Sequence, residues 1–254
     1  MRNYRSFWRK KQGLLLCLSV AAVLLGIGAL LWTGKIQAVF SLKRGNGQGV
    51  VLLPENPRQV PDTVCYFWQK DPRWAGDRLG EARDTMASSG CLVCSLAAGL
   101  RMQENGAASQ NNRDDIQEGW PDGQENKENS PTLFSTAGDL NRLFSQAQVY
   151  TKNGAVIWDR IPEAVPGTVT YVAEGVDAGE IDGFLARGIF PAVKVRVGGT
   201  GAFHWVLLVG ADGNGYLSMD PLKEDPAAVP LEEFGNRVYA VRAVYYEDAA
   251  VLQD

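Results

Sequence analysis

His204-Trp205-Val206-Leu207-Leu208-Val209 runs through Gly210-Ala211-Asp212-Gly213-Asn214-Gly215 into Tyr216-Leu217-Ser218-Met219-Asp220-Pro221. Two apolar runs joined by glycine, aspartate and asparagine read as a β-hairpin. With the turn centred near Gly213, facing positions sum to about 425 to 427, which sets His204 opposite residues near 221 to 223 and so close to Asp220. Pro221 offers no N–H to a ladder and helps to end the second strand at the carboxylate. His204 is the chain's one histidine, so any imidazole chemistry has to happen there. A lone histidine on an apolar strand is ordinarily a packed residue. A carboxylate delivered to it by the hairpin changes that reading to an oriented acid–base group.

Around the hairpin, further β-rich segments fall at Pro191 to Val197, Phe203 to Val209 and Val238 to Tyr246. Helical spacing lies upstream. Ala87 to Met102 carries Leu92, Leu96 and Leu100, with Asn105-Gly106 as a stop signal. Thr136 with Asp139 three residues on opens a second helix, whose stripe is Leu140, Leu143 and Phe144. A third fits Ala178 to Arg187, ended by Gly188. Helices early and antiparallel strands late make an α+β order rather than a βαβ one. Gln103 to Pro131 reads as a long solvated excursion, and its acids lack the spacing of a calcium loop. Gly198-Gly199-Thr200-Gly201 leads into a strand, not a helix, and reads as a turn rather than a phosphate cradle.

The thiol candidate is Cys91 in Ser88-Ser89-Gly90-Cys91-Leu92-Val93-Cys94-Ser95-Leu96-Ala97. Small polar residues followed by an apolar period put it at a helix start, where unsatisfied N–H groups favour a thiolate. Upstream, Tyr66-Phe67-Trp68-Gln69-Lys70-Asp71-Pro72-Arg73-Trp74 ends an aromatic segment with a primary amide, Gln69. Amide hydrolysis by a thiolate needs a sulfur, an imidazole, a group that orients the imidazole, and a donor for the oxyanion. Cys91, His204, Asp220 and Gln69 supply one of each.

On these residues, together with Thr85-Met86-Ala87-Ser88-Ser89-Gly90-Cys91, Ser95-Leu96-Ala97, His204-Trp205-Val206 and Asp220-Pro221, the chain resembles the C39-like cysteine peptidases of the papain-type superfamily over roughly residues 64 to 246. The resemblance implies a papain-like α+β fold, with Cys91 as nucleophile, His204 as general base and acid, Asp220 as orienting carboxylate and Gln69 as oxyanion donor. It implies no cofactor and a peptide or protein substrate. Leu92-Val93 stands where many members have Gly-Pro after the catalytic cysteine. Relatives that trim double-glycine leaders are fused to an ATP-driven exporter, whereas this chain has no Walker A sequence.

Other readings compete for the same residues. Cys91-Leu92-Val93-Cys94 is a C-x-x-C that could serve redox exchange, though the preceding βαβ pattern is missing. A metal site from Cys65, Cys91, Cys94 and His204 has no specific spacing. Cys65 and Cys94 could form a structural disulfide beside the site. A papain-like shell without catalysis, serving as a surface binding module, is the main alternative to an enzyme. Trp68, Trp74 and Trp205 flank the site residues as core or as cleft wall.

At the amino terminus, Gly13 to Trp32 is uncharged and apolar, about 30 Å as a helix and enough to cross a bilayer. Arg2, Arg5, Arg9, Lys10 and Lys11 precede it, predicting a cytoplasmic amino terminus and an extracytoplasmic domain. The alternative is a signal peptide cleaved after Ile36-Gln37-Ala38, which would secrete the domain. The first twelve residues hold five cations and no anion, so the rest of the chain carries −9 against −4 for the whole. That balance argues against a nucleic-acid partner. The expected organisation is a basic tail (1–12), a transmembrane anchor (13–33), a stalk with a short first strand near Val50 to Leu53 (34–61) and one domain (62–254).

Overall fold

The computed structural model describes residues 49–61, 64–114, 133–173 and 175–247. The basic tail, the apolar span and most of the expected stalk lie outside the described residues. No helix among those described is long and apolar enough to cross a membrane.

Mixed helices and an antiparallel sheet make up the folded part. β1 (Val50–Val51) is followed by α1 (Met86–Ser89), α2 (Cys91–Asp114), α3 (Ala137–Gln146) and α4 (Ile161–Ala164). Then come β2 (Thr168–Ala173), α5 (Ala178–Ala186), β3 (Ala192–Arg196), β4 (Phe203–Ala211), β5 (Tyr216–Met219), β6 (Val229–Pro230), β7 (Arg237–Val238) and β8 (Ala240–Tyr246). Six strands form one sheet in the order β2-β8-β3-β4-β5-β6, and β1 pairs with β7 apart from it. The β4–β5 ladder joins Ala211 to Tyr216 and Leu207 to Met219, with a bulge between Leu208 and Gly210. Gly210 is needed there, because a Cβ would stand 2.8 Å from the Arg58 carbonyl of the passing amino-terminal segment.

α3 starts as its sequence predicts: the Thr136 hydroxyl accepts from the Asp139 N–H at 3.1 Å, and Asp139 accepts from the Thr136 N–H at 3.0 Å. α2 differs from expectation at both ends. It does not stop at Asn105-Gly106 but runs to Asp114; residues 115–132 of the expected excursion lie outside the described residues. Gly106 does not take the positive φ of a helix-ending glycine. A glycine within a helix costs only about 1 kcal/mol relative to alanine, and the buried Val93, Leu96, Ala97 and Leu100 hold the preceding turns. β2 was missed altogether, although Thr168-Val169-Thr170-Tyr171-Val172 is rich in β-branched and aromatic residues. It lies at the sheet edge against β8.

Part of the segment before α1 is tied to α5 and β5 through one carboxylate. Asp182 on α5 accepts from the Glu55 N–H at 2.8 Å, the Asn56 N–H at 3.2 Å and the Tyr216 hydroxyl at 2.6 Å. A buried carboxylate without such donors would be costly. Its three bonds explain why an acid is tolerated on the inner side of α5.

Candidate active site

Cys91 is the first residue of α2 and is half-buried. α1 sets it in place: Gly90 closes that turn with its N–H on the Met86 carbonyl at 2.8 Å. A Cβ at Gly90 would lie 2.5 Å from the same carbonyl oxygen, closer than any side chain permits. The residue before the sulfur is therefore glycine for a packing reason. Ser88 steadies the turn by accepting from the Thr85 N–H at 2.9 Å.

His204 sits on β4 and Asp220 directly after β5, both buried. Their side chains meet at 2.6 Å between Nε2 and Oδ1. The same Oδ1 accepts the Leu222 N–H at 2.9 Å. The Asp220 carbonyl receives the Lys223 N–H at 3.0 Å and the Tyr66 hydroxyl at 3.3 Å. Cys91 lies near enough to the ring to raise its pKa, and with Nε2 occupied by Asp220 the nitrogen left to meet a sulfur is Nδ1. Burial opposes charge on His204, but the Asp220 bond and the neighbouring Cys91 outweigh it and push its pKa up to about 9. Burial likewise opposes charge on Asp220, and the His204 and Leu222 bonds outweigh it, so its carboxyl is held below the usual range.

These shifts fix a sign for stability. The pKa of His204, about 9, exceeds the roughly 6.5 of an unfolded histidine. Its contribution is fully present below about pH 6.5 and is lost as pH rises through 9. Asp220 reports the same bond from the other side, present above the unfolded carboxyl's ~3.9 and lost as pH falls through its lower folded value. Denaturant unfolding should therefore show stability falling by about 2 to 3 kcal/mol between roughly pH 6.5 and 9.5. His204→Gln should flatten that slope; a variant with the parent's slope would show that the pair does not carry it.

Gln69 is 2% exposed and is held at both ends. Its N–H donates to the Pro221 carbonyl at 2.9 Å, and its Nε2 donates to the Ala87 carbonyl on α1 at 2.7 Å. One amide hydrogen is thus committed and the other remains for a ligand. The Ala87 bond also fixes which end of the amide is nitrogen, since Oε1 could not approach that carbonyl. Oε1 has no hydrogen-bond partner among the described residues. Sequence reasoning missed Tyr66 and the Ala87 carbonyl as supports. Tyr66, three residues before Gln69, carried a visible signal as a hydroxyl within an otherwise apolar aromatic run; a backbone carbonyl carries none.

Cys65, Cys91 and Cys94 are all free thiols. The disulfide considered between Cys65 and Cys94 is absent, as is a bond between Cys91 and Cys94. Cys94 points into the core at 1% exposed, and burial pushes its thiol up. Burial also pushes the Cys65 thiol up, against the lowering charge of Arg101 on α2. Among the described residues no group of three histidine, cysteine or acidic side chains could hold a metal ion. Of the tryptophans, Trp74 is core at 2% exposed and stacks edge-on with Phe67, while Trp68 and Trp205 are half-buried. A small cleft lined by Asp212, Tyr216 and Glu232 lies at the turn end of the hairpin, away from His204.

No protein-family model matches the sequence, and no curated protein matches it. Among solved structures, the chain is similar to a crystal structure provisionally described as a C39-like peptidase from Bacillus anthracis, at 15% identity and a TM-score of 0.38, over 74% of this chain and 98% of that one. At that distance the chemistry rests on this chain's own atoms.

Proposed function

We propose that the chain is a thiol peptidase of the papain-like, C39-like kind, hydrolysing a peptide or amide bond outside the cytoplasm from a single amino-terminal membrane anchor. The observation that carries the reading is the buried His204–Asp220 bond at 2.6 Å, in a ring whose pKa the neighbouring Cys91 also raises. A packed histidine needs neither a buried carboxylate nor a thiol near it.

In the reaction, His204 takes the Cys91 proton and the sulfur attacks the carbonyl carbon, whose oxygen becomes an oxyanion. The uncommitted Gln69 N–H meets that oxygen. His204 returns the proton to the leaving amine as the C–N bond breaks, leaving a thioester on Cys91. Water then attacks the thioester, His204 accepts the water's proton, and the carboxylic product leaves as the thiol is restored. Asp220 stays ionised throughout and holds the ring with Nδ1 toward sulfur. Anchoring rests on the uncharged span 13–33 and the basic cluster before it.

The test is labelling of the full chain by an acyloxymethyl-ketone thiol probe, read by mass spectrometry so that Cys65 and Cys94 are told apart from Cys91. Labelling should fall on Cys91 and vanish in Cys91→Ala. A folded parent that takes no label at Cys91 would leave the non-catalytic binding module as the better account.

A further inference from the structure

The described part of the chain begins at Gly49, against an aromatic and cationic surface. A Cβ on Gly49 would lie 2.8 Å from the Arg237 side chain and 3.0 Å from the Tyr239 ring. The Gly49 carbonyl accepts from the Arg237 guanidinium at 3.1 Å. Tyr239 in turn meets the exposed Phe203 edge-on, with centroids 5.0 Å apart. The Arg196 guanidinium carbon lies 4.0 Å from the Phe203 centroid and 5.4 Å from that of Tyr239, and the Lys194 Nζ lies 4.3 Å from Phe203. Val51, which pairs with Arg237 across β1 and β7, is exposed, as is Val197 next to Arg196. Among the described residues neither Lys194 nor Arg196 is in an ion pair with a carboxylate. Arg196 is braced instead by the Gly201 carbonyl at 2.8 Å.

Charge sets this surface apart from the rest of the domain. All 29 acidic residues of the chain follow Gly49, against 17 of its 25 cations. Yet residues 47–54, 191–211 and 234–246, the stretches that build the surface, contain Lys194, Arg196, Arg237 and Arg242 and no acid. An anionic plane would repel the domain on average and attract it at this face. The connection to the apolar span 13–33 decides which plane comes near. Residues 34–48 separate that span from Gly49, and even fully extended they reach at most about 58 Å. A domain of this size is about 40 Å across. Once the span is in a bilayer, Gly49 stays within about one and a half domain diameters of it, so the surface beside Gly49 meets lipid at high effective concentration.

We infer that Lys194, Arg196, Phe203 and Tyr239 dock the domain on the anionic phospholipid surface of the bilayer that holds its anchor. This rests on the anchor of the proposed function and adds to it an orientation of the domain. Phe203 and Tyr239 enter the interfacial layer, where aromatic rings settle. Arg196 and Lys194 take phosphate oxygens by charge-assisted bonds. A cation beside such a surface strengthens attraction about fivefold, so the pair supplies about thirtyfold.

The test uses the full chain reconstituted in phosphatidylcholine vesicles with or without about 30% phosphatidylglycerol. Phe203→p-benzoylphenylalanine supplies a photo-crosslinker, and Val172→p-benzoylphenylalanine, exposed on the edge strand β2, is the comparison. Lipid adducts are read by mass spectrometry of the digested chain. With phosphatidylglycerol present, position 203 should give about tenfold more adduct than position 172, and about tenfold more than on phosphatidylcholine alone, the excess shrinking as salt is raised. Lys194→Gln with Arg196→Gln should remove the excess, while Lys194→Arg with Arg196→Lys should keep most of it. Equal adducts at 203 and 172, equal adducts with and without phosphatidylglycerol, or an excess undiminished in a folded Gln/Gln variant overturns the inference. Adducts to a second copy of the chain in place of lipid overturn it as well, in favour of self-association. Carbonate extraction of the vesicles reads the anchor separately. Lipid adducts at 203 on a chain that carbonate extracts defeat only the anchor, and an inserted chain without them defeats only the docking surface.

Discussion

Asp220→Ala should lower kcat/KM by about 10³ to 10⁴, while Asp220→Asn should lower it by only about ten- to a hundredfold. The difference follows from one oxygen. Oδ1 alone accepts both His204 Nε2 and the Leu222 N–H. Asparagine can present its Oδ1 to the same two donors, keeping the ring in the tautomer that leaves Nδ1 open to sulfur. It loses the charge that stabilises imidazolium, and so should move the alkaline limb of the pH–rate profile to lower pH. Alanine loses both, leaving a buried imidazole and a backbone N–H without acceptors; it should also destabilise the fold by about 3 kcal/mol. Steady-state kinetics across pH, with unfolding curves for each variant, check this. Equal defects in the two variants would mean that charge rather than orientation is what Asp220 supplies.

Gln69→Ala should reduce kcat by about 10² to 10³ with a much smaller change in KM. Its amide makes one structural bond, to the Ala87 carbonyl, and has one hydrogen left to meet charge that develops only as the carbonyl carbon is attacked. Gln69→Glu is the sharper variant. At neutral pH it would set a carboxylate oxygen against the Ala87 carbonyl at a site that is 2% exposed, with no donor for the oxyanion. Lowering the pH would return a proton to that contact. A Gln69→Ala variant that changed KM in proportion, with kcat unmoved, would make Gln69 a binding residue instead of an oxyanion donor.

How much of this was legible beforehand depends on the range of the forces involved. The β4–β5 hairpin could be read because its turn residues and its apolar runs are contiguous, and register follows from them arithmetically. α3 could be read because its cap is a four-residue pattern. The end of α2 could not: whether Asn105-Gly106 stops a helix depends on the backbone angle Gly106 adopts, and packing of the preceding turns against the sheet overrode the local signal. Pairing of cysteines was equally illegible, since composition cannot say that Cys94 points into the core while Cys65 is only half-buried. The supports of the site were hidden for the same reason. That the Tyr66 hydroxyl reaches the Asp220 carbonyl is a fact about segments more than 150 residues apart, and no local pattern encodes it.

That long reach also governs when the molecule can work during its synthesis. The stretch from Tyr66 to Gln69 is joined to Asp220 and Pro221 by two hydrogen bonds, and His204 reaches its carboxylate only once β5 has paired with β4. A chain emerging from the ribosome carries its thiol long before it carries the imidazole and acid that would arm it. Such contacts are among the last that a folding chain closes. Amino-terminal fragments that end before Pro221 hold the sulfur without its partners, so under the proposed mechanism the nascent protein would be inert until both strands of the hairpin have been made.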